Sequence, residues 1–87
     1  MEFEWDEAKR QANLAKHGLD FAEMATFDWP RAILIADLRA DYGENRYQAF
    51  ALQGGSLCQV TFTMRSQVVR IVSFRRANRK ERRLYGP

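Results

Sequence analysis

The feature that most restricts how this chain can fold is a change of hydrophobic period near its middle. Beyond Pro30 the apolar residues alternate with polar ones, the pattern of strands whose side chains point to opposite faces in turn. Strands are predicted over residues 32–38, 46–53, 57–65 and 68–75. Asp41-Tyr42-Gly43-Glu44 reads as a turn after the first, and Gly54-Gly55 is a hairpin signal between the second and third. In the third strand Cys58, Val60, Phe62 and Met64 share a face that must be core. Gln59, Thr61, Thr63 and Arg65 share the other, which is polar yet regular. The fourth strand is apolar on both faces, as expected of a central strand.

The first thirty residues read differently. Met1, Phe3 and Trp5 alternate with Glu2 and Glu4, a short strand. Asp6 then caps a helix running to about His17, with Ala8, Ala12 and Ala15 as its expected inward face and Gly18 as its left-handed terminator. A second short helix is marked by the capping-box spacing of Asp20 and Glu23 and by the staple spacing of Leu19 and Met24, and Asp28-Trp29-Pro30 should end it. Asn78 and Glu81 repeat the capping-box spacing and open a helix through Tyr85. The predicted order is β-α-α-β-β-β-β-α, an α+β fold with a helical hairpin and a short C-terminal helix packed on one antiparallel sheet. Residues 1–87 form a single domain, since so short a chain has no room for a second core.

Several classes of function are excluded by what the chain lacks. Cys58 is its only cysteine and His17 its only histidine, so no internal disulfide, cysteine-based zinc cluster or His-rich metal site can form. Neither a metal nor a cofactor is expected. No apolar run is long enough to span a bilayer, and the acidic Met1-Glu2-Phe3-Glu4-Trp5 start lacks the features of a secretory signal. A cytoplasmic location is the resulting expectation.

Charge is distributed unevenly. Residues 1–45 carry five basic and ten acidic side chains, a net of −5, whereas residues 46–87 carry nine basic and one acidic, a net of +8. Eleven of the fourteen cations are arginine. A guanidinium stays charged at any working pH and presents a planar fork that matches phosphate. The second half is therefore suited to a polyanion, nucleic acid above all. The competing explanation is a basic surface that pairs with the acidic first half, within the molecule or across a dimer.

The segment from Arg70 to Tyr85, Arg-Ile-Val-Ser-Phe-Arg-Arg-Ala-Asn-Arg-Lys-Glu-Arg-Arg-Leu-Tyr, resembles the C-terminal signature of the BrnT toxins. Phe3-Glu4-Trp5-Asp6, Asn13, Lys16-His17-Gly18 and Phe21 are similar to that family's opening motif, as are Gly43-Glu44-x-Arg46-Tyr47 and Thr63-Met64-Arg65 to its middle. Phe74, where a small residue is usual, and the Asp28-Trp29-Pro30 loop depart from the pattern. The resemblance implies a RelE-like fold and a ribonuclease toxin, neutralised in a hetero-oligomer by a BrnA-type antitoxin. It further implies metal-independent cleavage of mRNA, in which the ribose 2′-hydroxyl attacks the adjacent phosphate and leaves a cyclic phosphate. Such chemistry asks chiefly for positioning and for fixed positive charge around the phosphorane oxygens.

The resemblance and the strand pattern together nominate the site residues. Arg46 begins a strand and Arg65 ends one, so both belong at the rim of the sheet. Arg75, in strict alternation with Val69, Ile71 and Ser73, would lie on an apolar face, where a guanidinium must be paired or functional; a phosphate contact and an ion pair with Glu81 are both open. Arg70 alternates to the opposite face and is expected to pair with an acid of the first half. Arg79, Lys80, Arg82 and Arg83 crowd the last helix as its solvated side, adding sequence-independent attraction for RNA. Tyr85 either donates a proton or stacks on a base, or simply closes the core edge. His17 has the only side chain whose ordinary pKa suits proton transfer near neutrality, but helical spacing turns it away from the Ala8, Ala12 and Ala15 face, and its place in the last turn favours a cap against the helix dipole over catalysis. Two other classes stay open: a non-catalytic nucleic-acid-binding module, and a structural partner for an acidic protein.

Overall fold

The caps and turns, which depend only on neighbouring residues, set most of the boundaries. The computed structural model describes residues 1–38 and 43–87, and in chain order its elements are β1 (Glu2–Glu4), α1 (Glu7–His17), β2 (Ile33–Asp37), β3 (Arg46–Gln53), β4 (Ser56–Arg65), β5 (Val68–Arg76) and α2 (Arg79–Tyr85). Asp6 caps α1 by accepting from the Lys9 amide at 3.1 Å, and Gly18 ends it at φ 71°. Both predicted capping boxes form, Asp20 with Glu23 and Asn78 with Glu81. Gly54 and Gly55, at φ 59° and 83°, join the paired ends Gln53 and Ser56, the doubly left-handed turn that a two-residue hairpin needs. The first two residues of the predicted Asp41-Tyr42-Gly43-Glu44 turn lie outside the described residues.

The sheet runs β1-β5-β4-β3-β2. β2 to β5 are antiparallel neighbours, but β1 pairs parallel to β5, so the sheet is mixed rather than wholly antiparallel. Pairing there sets Phe3 beside Val69 and Glu4 beside Arg70, which places an apolar pair on one face and an ion pair on the other. A three-residue strand announces its alternation but not its neighbour.

In place of the expected second α-helix stand two 3₁₀ turns, Phe21–Ala25 and Trp29–Arg31. Phe21, Met24 and Phe27 are all buried; residues three apart eclipse in a 3₁₀ turn, which aligns Phe21 with Met24, and Phe27 follows just beyond the first turn. Their bonds are of the i→i+3 kind, Thr26 N–H to Glu23 O and Ala32 N–H to Trp29 O among them. These turns cover one face of the sheet, over Ala49, Val60, Phe62, Ile71 and Phe74; Trp29 meets Phe62 edge-on at 5.4 Å, and Phe27 meets Phe74 at 6.1 Å. α2 packs on the opposite face, where Tyr85 stacks on Phe50 at 4.4 Å beside Leu57, Ala77 and Ile35. One sheet thus serves two apolar clusters, in a single α+β domain.

α1 does not present Ala8, Ala12 and Ala15 inward; all three are exposed, and its one buried residue is Asn13. Asn13 receives the Phe74 N–H at 3.0 Å and donates to the Phe74 carbonyl at 2.7 Å and the Leu19 carbonyl at 3.1 Å. Because β1 covers β5 only as far as Arg70, the amide of Asn13 takes the place of the next strand's peptide at Phe74. A buried backbone edge must be satisfied, so this contact is polar where packing of small residues was expected.

Candidate functional site

The second difference in β5 decides which residues share a face. Thr61 pairs with Ser73, but Phe62 pairs with Ile71, so Val72 is an extra residue. Such a bulge reverses the alternation of everything beyond it. Val69, Ile71 and Phe74 therefore face the core, while Arg70, Ser73 and Arg75 lie together on the other face. Strict alternation had separated Arg70 from Arg75 and had put Arg75 among apolar side chains; the bulge corrects both.

Register then maps this second face row by row. Arg46, Thr63 and Arg70 face one another across β3, β4 and β5, with Asp37 of β2 and Glu4 of β1 at the ends of the row. Gln48, Thr61 and Ser73 form the next row, and Phe50, Gln59 and Arg75 the one after. Arg65, two residues along β4 from Thr63, extends the face at the other end. Thus Arg46, Arg65 and Arg75 occupy a common face, joined by Arg70, which the strand pattern had assigned elsewhere. The face is not a single point: Thr63 and Gln59 are four residues apart on β4, about 13 Å at ~3.3 Å per residue.

Its floor is polar and buried. Gln59, Thr61 and Thr63 are 1%, 6% and 0% exposed. Gln59 Nε2 donates to Thr61 Oγ1 at 2.8 Å, while Gln59 Oε1 and Thr63 Oγ1 have no partner among the described residues. Met64, expected in the core, is 45% exposed at the end of the opposite face, where it borders a hollow with Trp29, Leu34 and Phe62.

Arg75, Arg70 and Arg65 meet carboxylates. Arg75 donates from both terminal nitrogens to Glu81, at 2.8 and 2.9 Å, and Glu81 is itself fixed by accepting the Asn78 N–H. The contacts of Arg65 with Glu44 and Arg70 with Glu4 are looser, 3.6 Å each. Arg79, Lys80, Arg82 and Arg83 are exposed on α2, with Arg82 also donating to the Ala77 carbonyl at 2.9 Å. Tyr85 is half-buried; beyond its stack on Phe50 it borders a hollow of about 290 Å³ shared with Gln48, Lys80 and Glu81.

His17 is half-buried at the end of α1, sharing a hollow with Lys16, Val72 and Ser73. Burial, and then the charges of Lys16 and Arg75, hold its pKa below the ordinary imidazole value, which favours the neutral ring. A helix-capping imidazolium would show the opposite shift. Cys58 lies in the apolar core, where burial pushes its thiol up and keeps it protonated. No described helix is long and apolar enough to cross a membrane.

A small α+β domain with a guanidinium-rich, hydrogen-bonding sheet face is a domain suited to a phosphate polymer. A family model described as "Ribonuclease toxin, BrnT, of type II toxin-antitoxin system" matches residues 5–81. The chain belongs to this family of ribonuclease toxins, whose partner is an antitoxin protein and whose target is RNA. No curated protein matches it.

Proposed function

We propose that the protein is a metal-independent endoribonuclease that cleaves mRNA by 2′-hydroxyl attack, so inhibiting translation in the cytoplasm, and that a BrnA-type antitoxin holds it inactive in a hetero-oligomer. The observation that carries this reading is the sharing of one sheet face by Arg46, Arg65, Arg70 and Arg75. Arg75, oriented by Glu81, supplies the charge that stabilises the phosphorane, while Arg46 and Arg65 hold the flanking backbone and Arg79, Lys80, Arg82 and Arg83 attract RNA without regard to sequence. His17, whose surroundings favour the neutral ring, accepts the proton of the attacking 2′-hydroxyl. The 2′-oxygen bonds to phosphorus, the P–O5′ bond breaks, and Tyr85 delivers a proton to the leaving 5′-oxygen. The RelE-like fold that the family resemblance implies accords with this chemistry, which asks for fixed charge and little else.

Purified protein incubated with RNA in EDTA tests it. Discrete fragments ending in 2′,3′-cyclic phosphate are expected, and Arg65→Ala and Arg75→Ala should each slow cleavage about a hundredfold or more while remaining folded. Retention of full activity in both variants would refute the residue assignment. A second reading, a non-cleaving binder, is favoured by the carboxylates already beside Arg65, Arg70 and Arg75; it predicts RNA that is retarded but intact.

A further inference from the structure

The contrast among those three ion pairs carries information of its own. Arg75 is gripped by a doubly hydrogen-bonded carboxylate that is itself fixed in a capping box. Arg70 and Arg65 face theirs at 3.6 Å, beyond hydrogen-bond length, so those guanidinia keep donors to offer. The Glu4 side chain is 41% exposed and Glu44 38%, and water screens such partly exposed pairs. Between Arg46 and Arg70, in register with both, stands Thr63, wholly buried, its hydroxyl without a partner among the described residues.

We infer that Arg70, Thr63, Arg46 and Arg65 form a second anion subsite, separate from Arg75, that takes a backbone phosphate of the RNA. This rests on the proposed RNA-cutting face and deepens it. Glu4 and Glu44 occupy the place of that phosphate in the free protein and yield it when RNA arrives. A phosphodiester carries the same single charge as a carboxylate, but it arrives as one link of a polyanion whose other phosphates meet Arg75 and α2. Its two non-bridging oxygens can accept from the Arg70 and Arg65 guanidinia and the Thr63 hydroxyl. Asp37, buried at the β2 end of the row beside Arg46, stays in place and limits the net charge of the subsite. About 13 Å separates this row from that of Arg75 at ~3.3 Å per strand residue, with Arg75 turned toward α2 and Arg70 toward β1. With Arg75 held toward Glu81 and Arg70 toward Glu4, two phosphates of one strand suit the pair better than a single ion, which points to a polynucleotide.

The test uses a 2′-O-methyl oligonucleotide, which cannot undergo 2′-hydroxyl attack, so binding is read whether or not the protein cleaves RNA. Fluorescence anisotropy should show Arg70→Ala weakening the complex about tenfold and lowering the salt slope by about one. Glu4→Gln, which removes the competing carboxylate but keeps Arg70, should tighten it. Thr63→Val, a change of similar shape, should weaken it without lowering the melting temperature. If Arg70 serves only its ion pair, Glu4→Gln and Arg70→Ala will both leave the affinity unchanged, and the inference fails. Should Arg70→Ala not fold, Glu4→Gln alone decides, since unchanged or weaker binding there overturns the exchange. Inorganic phosphate at millimolar concentration should displace the oligonucleotide only weakly. Full displacement would mark a site for the free ion and contradict a polynucleotide ligand.

Discussion

Both faces of the sheet are largely dry, for opposite reasons. Beneath the 3₁₀ turns the dry groups are Ala49, Val60, Phe62, Ile71 and Phe74, covered by Phe21, Met24 and Phe27. On the reverse, beside the small Phe50, Leu57 and Ala77 cluster under α2, they are Gln59, Thr61 and Thr63, among arginines that reach outward to Glu4, Glu44 and Glu81. The first arrangement lowers free energy by removing apolar surface from water. The second costs desolvation wherever a buried polar atom lacks a partner. A small domain with little core to spare keeps such a face where the buried groups serve something other than stability. The larger apolar core and the arginine-lined polar surface thereby take opposite sides of one sheet, with only the small Phe50, Leu57 and Ala77 cluster under α2 sharing the polar side.

The largest effect expected from this contrast belongs to the apolar face. Phe74→Ala should remove about 3–5 kcal/mol of unfolding free energy by leaving a cavity, read as a lower urea midpoint. Asn13→Ala strands the Phe74 N–H and two carbonyls, at about 1–3 kcal/mol for each buried group left unsatisfied. It should therefore rival a core deletion, although the side chain lost is polar. A loss below 1 kcal/mol would show that β5 does not need its substitute neighbour. Arg75→Ala, on the other face, should cost about 1 kcal/mol of stability, as a partly exposed pair does, but about a hundredfold or more in cleavage rate, as loss of a transition-state donor does. Equal damage to folding and to cleavage would erase the distinction between the faces.

The smallest effect concerns His17. Its midpoint, followed by the imidazole proton resonance, should lie below 6.5, and Arg75→Gln should raise it by removing one of the charges that depress it. Because the folded value is the lower one, the stability linked to His17 is complete above about 6.5 and declines as pH falls from there through the folded midpoint. His17→Gln should flatten that decline.

Residues with local signals were legible in the sequence. Asp6, Gly18, Asp20 with Glu23, Gly54-Gly55, and Asn78 with Glu81 each act on backbone a few positions away, and each stands where its type suggests. The remainder depends on distant partners. That α1 buries an amide cannot be read from α1, since the backbone edge it satisfies belongs to Phe74, 61 residues away. The bulge at Val72 was hidden because β5 is apolar on both sides, so a shift of one residue leaves its pattern nearly intact. One signal was present: the polar positions Arg70, Ser73 and Arg75 are spaced three and then two, which strict alternation does not allow. Arg46, Arg65 and Arg75 were nominated from strand ends and family resemblance, whereas Arg70 needed the bulge to join them. The period of three in Phe21, Met24 and Phe27 was likewise visible but hard to tell from a helical one over so short a stretch.

The central claim, that the polar side of the sheet is the RNA side, is tested most directly by amide NMR with an uncleavable 2′-O-methyl oligonucleotide. Shifts clustered at Arg46, Gln48, Thr61, Thr63, Arg70, Ser73 and Arg75 are predicted, with Leu34 and Met64 on the apolar side unmoved. Shifts centred on Leu34 and Met64, or confined to the outer side of α2, would contradict it.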